Sequence, residues 1–140
     1  MKNTRLTKTK LLCIVVLWCI SSFTTHAQLD YKMAGPFKVV ARDGEFRASK
    51  GGSERDMKAA FDLANIYSNK KASSTADREK AKAKALDIIN AYSSNLERLD
   101  GHDAPLCAIQ CFDMVRAMTI LRDFKTPQWD AMVRNAMLPT

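Results

Sequence analysis

The chain has 140 residues, 46% of them hydrophobic, and a formal net charge of +7 at neutral pH. Residues 1–27 contain four basic residues and no acidic one, so the rest of the chain carries only +3. This small excess does not support a nucleic-acid partner, and it is compatible with an acidic ligand. The length suits one helical domain with a modest hydrophobic core.

Residues 1–27 have the pattern of a secretory signal peptide. A basic stretch precedes the apolar run 11–23, and the small residues Thr25 and Ala27 stand at the positions that precede signal cleavage. The apolar run is short for a membrane-spanning helix. We therefore expect a mature chain that begins at Gln28, is periplasmic or secreted, and keeps no stable membrane anchor.

Residues 28–52 lack a helical pattern. Strand-forming residues flank a tight Asp-Gly turn, which predicts a small hairpin over 37–47. We expect an irregular N-terminal arm, either a strap over the core with solvated charges or a lid-like segment over a substrate, and composition leaves both open. The basic residues of this arm are Lys32, Lys38, Arg42, Arg47 and Lys50.

Two helices are predicted next. Ser53 and Asp56 form an S-x-x-D cap, so the first helix is expected to begin after Ser53 and to end in the polar run 68–74. The second helix runs from about Ser74 to Tyr92. Three lysines on its outer side are interleaved with alanines, and we expect them to be solvated. The expected inner face comprises Ala81, Ala85, Ile88, Ile89 and Tyr92, and the outer lysines are Lys80, Lys82 and Lys84.

Two further helices complete the pattern. The third is expected over 104–124, with Asp103 as N-cap, and the fourth begins with Thr126 as N-cap and Pro127 in the first position. The apolar stripe of the third helix is Leu106, Ile109, Met114, Val115, Met118 and Leu121; that of the fourth is Trp129, Met132, Val133 and Ala136. The fold class is therefore all-α, with antiparallel helices that form either a bundle or stacked helical hairpins.

The loop 100–107 carries the most distinctive polar residues. It places His102, Asp103 and the open N–H groups of the third helix at one end of that helix, an arrangement typical of a pocket wall. Phosphate-loop, metalloprotease and serine-hydrolase motifs are absent from the sequence. Cys107 and Cys111 are interpreted as packing residues, with a strained disulfide left open, and with His102 they lack a fourth metal ligand. We expect no metal and no cofactor.

Three stretches carry a resemblance to a known family: residues 31–47 (YKMAGPFKVVARDGEFR), 85–92 (ALDIINAY) and 99–106 (LDGHDAPL). Together they resemble the N-terminal part of exported polysaccharide lyases of the alginate lyase family. The likeness covers most of residues 30–138. It implies that residues 53–140 are the helical N-terminal part of an α/α toroid, an incomplete barrel of helical hairpins preceded by the signal peptide 1–27 and the arm 28–52.

The resemblance also implies a reaction, the cleavage of uronate-containing, alginate-like polysaccharide by β-elimination. A base removes the C5 proton of a uronate, an acid assists departure of the 4-linked sugar, and positive groups at the carboxylate stabilise the carbanion-like transition state. In such lyases the acid and base are a tyrosine and an Asn-His pair later in the chain. No such pair occurs in these 140 residues, so we expect no catalytic residue here and no turnover by this chain alone.

Matched residue by residue, Lys32, Arg42 and Arg47 correspond to the lid-like segment, and His102 and Asp103 to a loop that contacts substrate. These five are the candidate substrate-binding residues, and the expected partner is an acidic polysaccharide. Two alternatives remain: an exported non-catalytic helical module that binds acidic glycan or a protein partner, and a structural bundle without a ligand. An incomplete toroid exposes the apolar face of an inner helix, so self-association is also expected.

Overall fold

The structure is a computed structural model that describes residues 28–38, 47–71, 73–97 and 111–137, with the backbone alone for 47–51. Within these ranges the chain is all-α, as predicted, and contains no strand. No helix among the described residues is long and apolar enough to cross a membrane. The helices are α1 (Arg47–Ser68), α2 (Thr75–Ser93), α3 (Phe112–Ile120) and α4 (Pro127–Met132); a 3-10 turn (Arg122–Phe124) follows α3 and a π-helical turn (Val133–Met137) follows α4.

Helix α1 is the centre of the described fold, because it packs along α2 and also against α3. Helix α4 packs against the far side of α2, where the indole Nε1 of Trp129 donates a hydrogen bond to Asn90 Oδ1 at 2.7 Å. The side chains that fill the core are apolar and almost fully buried, and alanines let α1 and α2 approach closely. They include Met57, Ala60, Leu63, Ala64, Ala81, Ala85, Ile88, Ile89, Met114, Ala117, Leu121, Trp129 and Met132.

The prediction for the second helix is confirmed. Helix α2 has the expected bounds, and its buried residues are the five predicted for its inner face. At its N-terminus the hydroxyl of Ser74 accepts a hydrogen bond from the Asp77 N–H at 3.1 Å and donates one to Asp77 Oδ2 at 2.7 Å. This pairing satisfies an otherwise unpaired backbone donor of the first turn and fixes where the helix begins.

The predicted start of the first helix is wrong. Helix α1 begins at Arg47, so residues 47–52, assigned to the arm, are helical, and Ser53 is a buried residue inside the helix instead of its cap. The two glycines before Ser53 suggested a break, but a Cβ at Gly52 would lie 2.6 Å from the Phe37 ring. Gly52 therefore allows the ring to approach α1 closely. Arg47 also ends the predicted hairpin, whose residues 39–46 lie outside the described ranges.

The last two helices match the predictions in part. Residues 104–110 lie outside the described ranges, and α3 ends at Ile120, before the predicted residue 124, because the chain tightens into the 3-10 turn. Thr126 and Pro127 occupy the predicted first positions of α4. Met114 and Leu121 are buried as expected, whereas Val115 is 38% exposed.

The three outer lysines of α2 differ from the expected solvated face. Lys80 is exposed and pairs with Asp30 at 3.2 Å. The Lys82 ammonium lies 5.4 Å from the Tyr67 ring centre and 4.8 Å from that of Phe124. Lys84 Nζ donates to the Tyr31 carbonyl at 3.2 Å. The expectation is wrong for Lys82 and Lys84 because neighbouring elements cover them, which local sequence does not reveal.

Candidate functional site

Residues 28–38, called the strap below, lie across α1 and α2. Alternate side chains are turned inward: Leu29 is fully buried, while Tyr31, Met33 and Phe37 are partly buried and pack against the core. Gly35 is also partly buried, whereas Asp30, Lys32, Ala34 and Pro36 are exposed. This two-residue alternation is what an extended chain shows when one side contacts a core. Over these residues the arm is therefore a strap.

The strap is held by the carboxylate of Asp56, a side chain of α1 with no exposed surface. Asp56 Oδ1 accepts hydrogen bonds from the Tyr31 hydroxyl at 2.6 Å and the Ala34 N–H at 2.8 Å. Oδ2 accepts from the Gly35 N–H at 2.9 Å and the Tyr92 hydroxyl at 2.8 Å. One carboxylate thus joins three elements: the strap, α1 and α2.

These four donors explain how a charged group occurs in the core. A buried carboxylate is costly unless each oxygen is hydrogen-bonded, and charge-assisted hydrogen bonds are the strong ones. Burial raises the pKa of the Tyr31 and Tyr92 phenols, and the Asp56 carboxylate raises both further; the positive charge of Arg55 partly opposes this at Tyr31. Both phenols are therefore neutral donors near neutral pH, and neither is poised to give up its proton.

Two further hydrogen bonds and an exposed ion pair hold the C-terminal end of the strap. Asn95 Nδ2 donates to the Pro36 carbonyl at 3.4 Å, and the Glu97 N–H donates to the Lys38 carbonyl at 2.6 Å. Lys38 also pairs with Glu97 at 3.7 Å, but both side chains are more than half exposed. Exposed ion pairs of this kind contribute little to stability. The Asp56 hydrogen bonds therefore hold the middle of the strap.

A cleft of about 270 Å³ opens between the strap and α1. Gln28 and Tyr31 form the wall on the strap side. The opposite wall comes from positions three or four residues apart, which share one face of a helix. These are Arg55, Lys58, Ala59 and Asp62.

The cleft carries a net positive charge. Lys58 Nζ bonds Asp62 Oδ2 at 2.7 Å, so these two charges largely compensate each other. Arg55 is exposed and, within the described part of the chain, has no ion pair. An exposed guanidinium without an ion pair is suited to bind a carboxylate through two parallel hydrogen bonds. The surface of the cleft is mostly apolar, and the positive charge of Arg55 favours an anion over a cation as its ligand.

Most of the predicted site residues cannot be placed relative to this cleft. Lys32 is exposed on the outer side of the strap. Arg47 begins α1, but its side chain, like Arg42, His102 and Asp103, lies outside what the structure describes. Cys111 is buried in the core, while Cys107 lies outside. Among the described residues no three His, Cys, Asp or Glu side chains are grouped to hold a metal ion.

The site predicted from the sequence did not include Asp56, Arg55 or Lys58. Asp56 was explained locally, as part of a helix cap. A stronger signal was its spacing, because Asp56 precedes Met57 and Ala60 on the face that was predicted to be apolar. A carboxylate on a core-facing position needs partners from elsewhere in the chain.

Comparison with known proteins identifies no relative: no protein-family model, no curated protein and no solved structure matches the chain.

Proposed function

We propose that the chain is the N-terminal part of an exported polysaccharide lyase of the alginate lyase type, and that the cleft beneath the strap binds uronate polysaccharide. The resemblance in residues 31–47, 85–92 and 99–106 supports the family. The observation that carries the binding role is the cleft between Tyr31 and Arg55, an arginine that has no ion pair with another described residue. The proposal includes a periplasmic or secreted location.

The chemistry of the cleft fits a uronate. Its volume lies just below the about 300–1,000 Å³ typical of small-molecule sites, which suits one sugar residue of a longer chain. Arg55 would bind the sugar carboxylate, Lys58 would add positive charge, and the Tyr31 ring would lie against an apolar sugar face. Neutralising a uronate carboxylate is also what β-elimination requires.

The proposed contribution of this chain is binding without turnover. The Tyr31 and Tyr92 hydroxyls donate to Asp56 and have raised pKa values, so they are poor acids at neutral pH. In the proposed architecture, α1 and α2 form the first helical hairpin of the toroid, and α3 and α4 pack on α1 and α2 respectively. Lys32, Arg42, Arg47, His102 and Asp103 remain the predicted contacts for neighbouring sugars.

The test is calorimetric titration of the purified protein with tetrameric oligouronates at low ionic strength. We expect Arg55→Ala to weaken binding about tenfold, equivalent to about 1.4 kcal/mol for one charge-assisted contact. Arg122→Ala is the matched control, since that arginine is 81% exposed and does not line the cleft. Equal affinities for the two variants would contradict the assignment of the cleft.

Two further readouts separate this proposal from its alternatives. Added salt should weaken binding, because exposed charges are screened. β-Elimination leaves an unsaturated, ultraviolet-absorbing sugar, and we expect none to accumulate. Turnover would show that the chain is itself a lyase, whereas absence of binding to any oligouronate would favour the structural bundle.

A further inference from the structure

We infer that Asp56 is a positioning residue for the cleft: it fixes the strap so that Tyr31 forms a rigid wall opposite Arg55. The role in ligand binding rests on the proposed function. The role in fixing the strap rests on the four hydrogen bonds alone and is testable without a ligand.

The first step is that Asp56 supplies the acceptor for the backbone N–H groups in the middle of the strap, where the other contacts are the packing of Met33 and the bond from Lys84 to the Tyr31 carbonyl. The fully buried side chain of Leu29 holds its beginning, and the bonds from Asn95 and Glu97 hold its end. Between them, the Ala34 and Gly35 N–H groups both donate to Asp56. Without this acceptor, the two N–H groups would need water, which requires the strap to lift from α1.

The second step links this anchor to the cleft. Arg55 and Asp56 are adjacent on α1, so one turn of helix presents the guanidinium outward and the carboxylate inward. Tyr31 belongs to both features, because it lines the cleft and its hydroxyl donates to Asp56. The carboxylate therefore sets the width of the gap between Tyr31 and Arg55. A preformed gap avoids the entropic cost of ordering the wall when a ligand binds.

The third step is that Asp56 holds the strap through its charge and both carboxylate oxygens, and not only through the size of its side chain. In Asp56→Asn one oxygen becomes an NH₂ group, which is itself a donor and faces a hydroxyl and a backbone N–H. The hydroxyl can rotate to accept, but the N–H cannot. The substitution thus breaks one strap contact while it keeps the side-chain volume.

The experiment measures amide hydrogen exchange and oligouronate affinity on the same proteins: the unmodified chain, Asp56→Asn, and Asp87→Asn as a control exposed carboxylate on α2. In Asp56→Asn we expect Ala34 and Gly35 to exchange at least tenfold faster while core amides of α1 and α2 keep their protection. We expect affinity to fall at least fivefold, with no change in Asp87→Asn. Unchanged exchange at Ala34 and Gly35 would overturn the inference.

The two proposals fail in different ways. If Asp56→Asn frees the strap but binds the oligouronate as tightly as the unmodified chain, Asp56 does not position the cleft, and the binding function stands. If no protein in the set binds, the proposed function fails, and exchange alone decides whether Asp56 fixes the strap. Should Asp56→Asn not fold, Tyr31→Phe removes one strap contact and retains the ring, and the same faster exchange and weaker binding are expected.

A disulfide provides a rescue that bypasses the carboxylate. A Cβ at Gly52 would lie 3.6 Å from the Ala34 Cβ, within the roughly 3.5–4.5 Å of natural disulfides. The Phe37 ring obstructs this position, so the variant combines Ala34→Cys, Gly52→Cys and Phe37→Ala with Asp56→Asn, and native cysteines are changed to serine. Oxidation should restore most of the affinity relative to the same protein reduced. No difference between the two forms would contradict a positioning role.

Discussion

The two ends of the described chain are held to the core by different forces. The strap is attached through a fully buried carboxylate with four hydrogen bonds, whereas α3 and α4 are attached by apolar side chains such as Met114, Leu121 and Trp129. Hydrogen bonds are directional, so they fix position; burial is not directional and mainly supplies stability. The region with the polar anchor is also the one that contains the candidate binding cleft.

The largest expected effect comes from removing the anchor. Asp56→Ala leaves up to four buried donors without their acceptor, and we expect a loss of about 3–5 kcal/mol in the free energy of unfolding. Urea denaturation measures it, with Asp87→Ala as the control on an exposed position. A loss below 1 kcal/mol would mean that the strap is held mainly by its apolar side chains.

The corresponding change in the other region is Met114→Ala. This side chain is fully buried in α3, so its truncation leaves a cavity that costs about 2–4 kcal/mol. Unlike the Asp56 variants, Met114→Ala should speed amide hydrogen exchange at Ala34 and Gly35 by no more than the loss in the free energy of unfolding explains. If the strap amides alone lost their protection from hydrogen exchange in this variant, the two regions would be coupled.

Alkaline pH tests the strap region through the two tyrosines that donate to Asp56. The pKa values of Tyr31 and Tyr92 are raised in the folded state, so the fold retains protons that the unfolded chain releases near pH 10. This stabilisation is complete below about pH 10 and is lost as the pH rises toward the raised values. Denaturation at several pH values should show a shallower alkaline decline for Tyr92→Phe; an identical slope would contradict the raised pKa of Tyr92, which burial and then Asp56 cause.

Gly52→Ala has two opposing effects: it favours the helical conformation of α1, and it crowds the Phe37 ring of the strap. Alanine favours a helix interior by about 1 kcal/mol over glycine, but its Cβ would lie 2.6 Å from the Phe37 ring. We expect a net change within about 1 kcal/mol, together with faster exchange at Ala34 and Gly35. Increased stability with an unmoved strap would show that the Phe37 ring turns aside without displacing the strap.

The smallest effect on stability is expected at the exposed apolar residues of α3. Phe112 is 61% exposed, and Val115 lies one turn later on the same face. Phe112→Ser should change the free energy of unfolding by less than about 0.5 kcal/mol and reduce any self-association that this exposed apolar face mediates. Sedimentation velocity over a concentration series measures this, and association that is equal in both proteins would place the contact elsewhere.

The sequence pattern predicted a helix correctly where caps and apolar spacing within the helix itself determine its bounds. Helix α2 has a side-chain cap at Ser74 and a regular apolar face, so its bounds and all five of its buried residues followed from spacing. The same holds for the start of α4 at Thr126 and Pro127. The start of helix α1 was predicted too late because Gly52 was interpreted as a helix break. The structure shows that this glycine instead makes room for the Phe37 ring, a contact between residues distant in sequence.

The cleft could not be predicted because its parts come from separate elements. The strap pattern was recognised as non-helical, but its partner on α1 appeared to be an ordinary cap. The pairing of Tyr31, Asp56 and Tyr92 spans three elements, and no local motif encodes it. The predicted contacts His102 and Asp103 lie outside the described residues, and they stay predictions based on their loop position and on the resemblance.

The most direct test of the central claim is an NMR titration of the isotopically labelled protein with a tetrameric oligouronate. Binding in the cleft predicts saturable shifts centred on Tyr31, Arg55 and Lys58, and their loss in Arg55→Ala. Shifts confined to Phe112 and Val115, or no shifts at all, would contradict the assignment of the cleft as the glycan site.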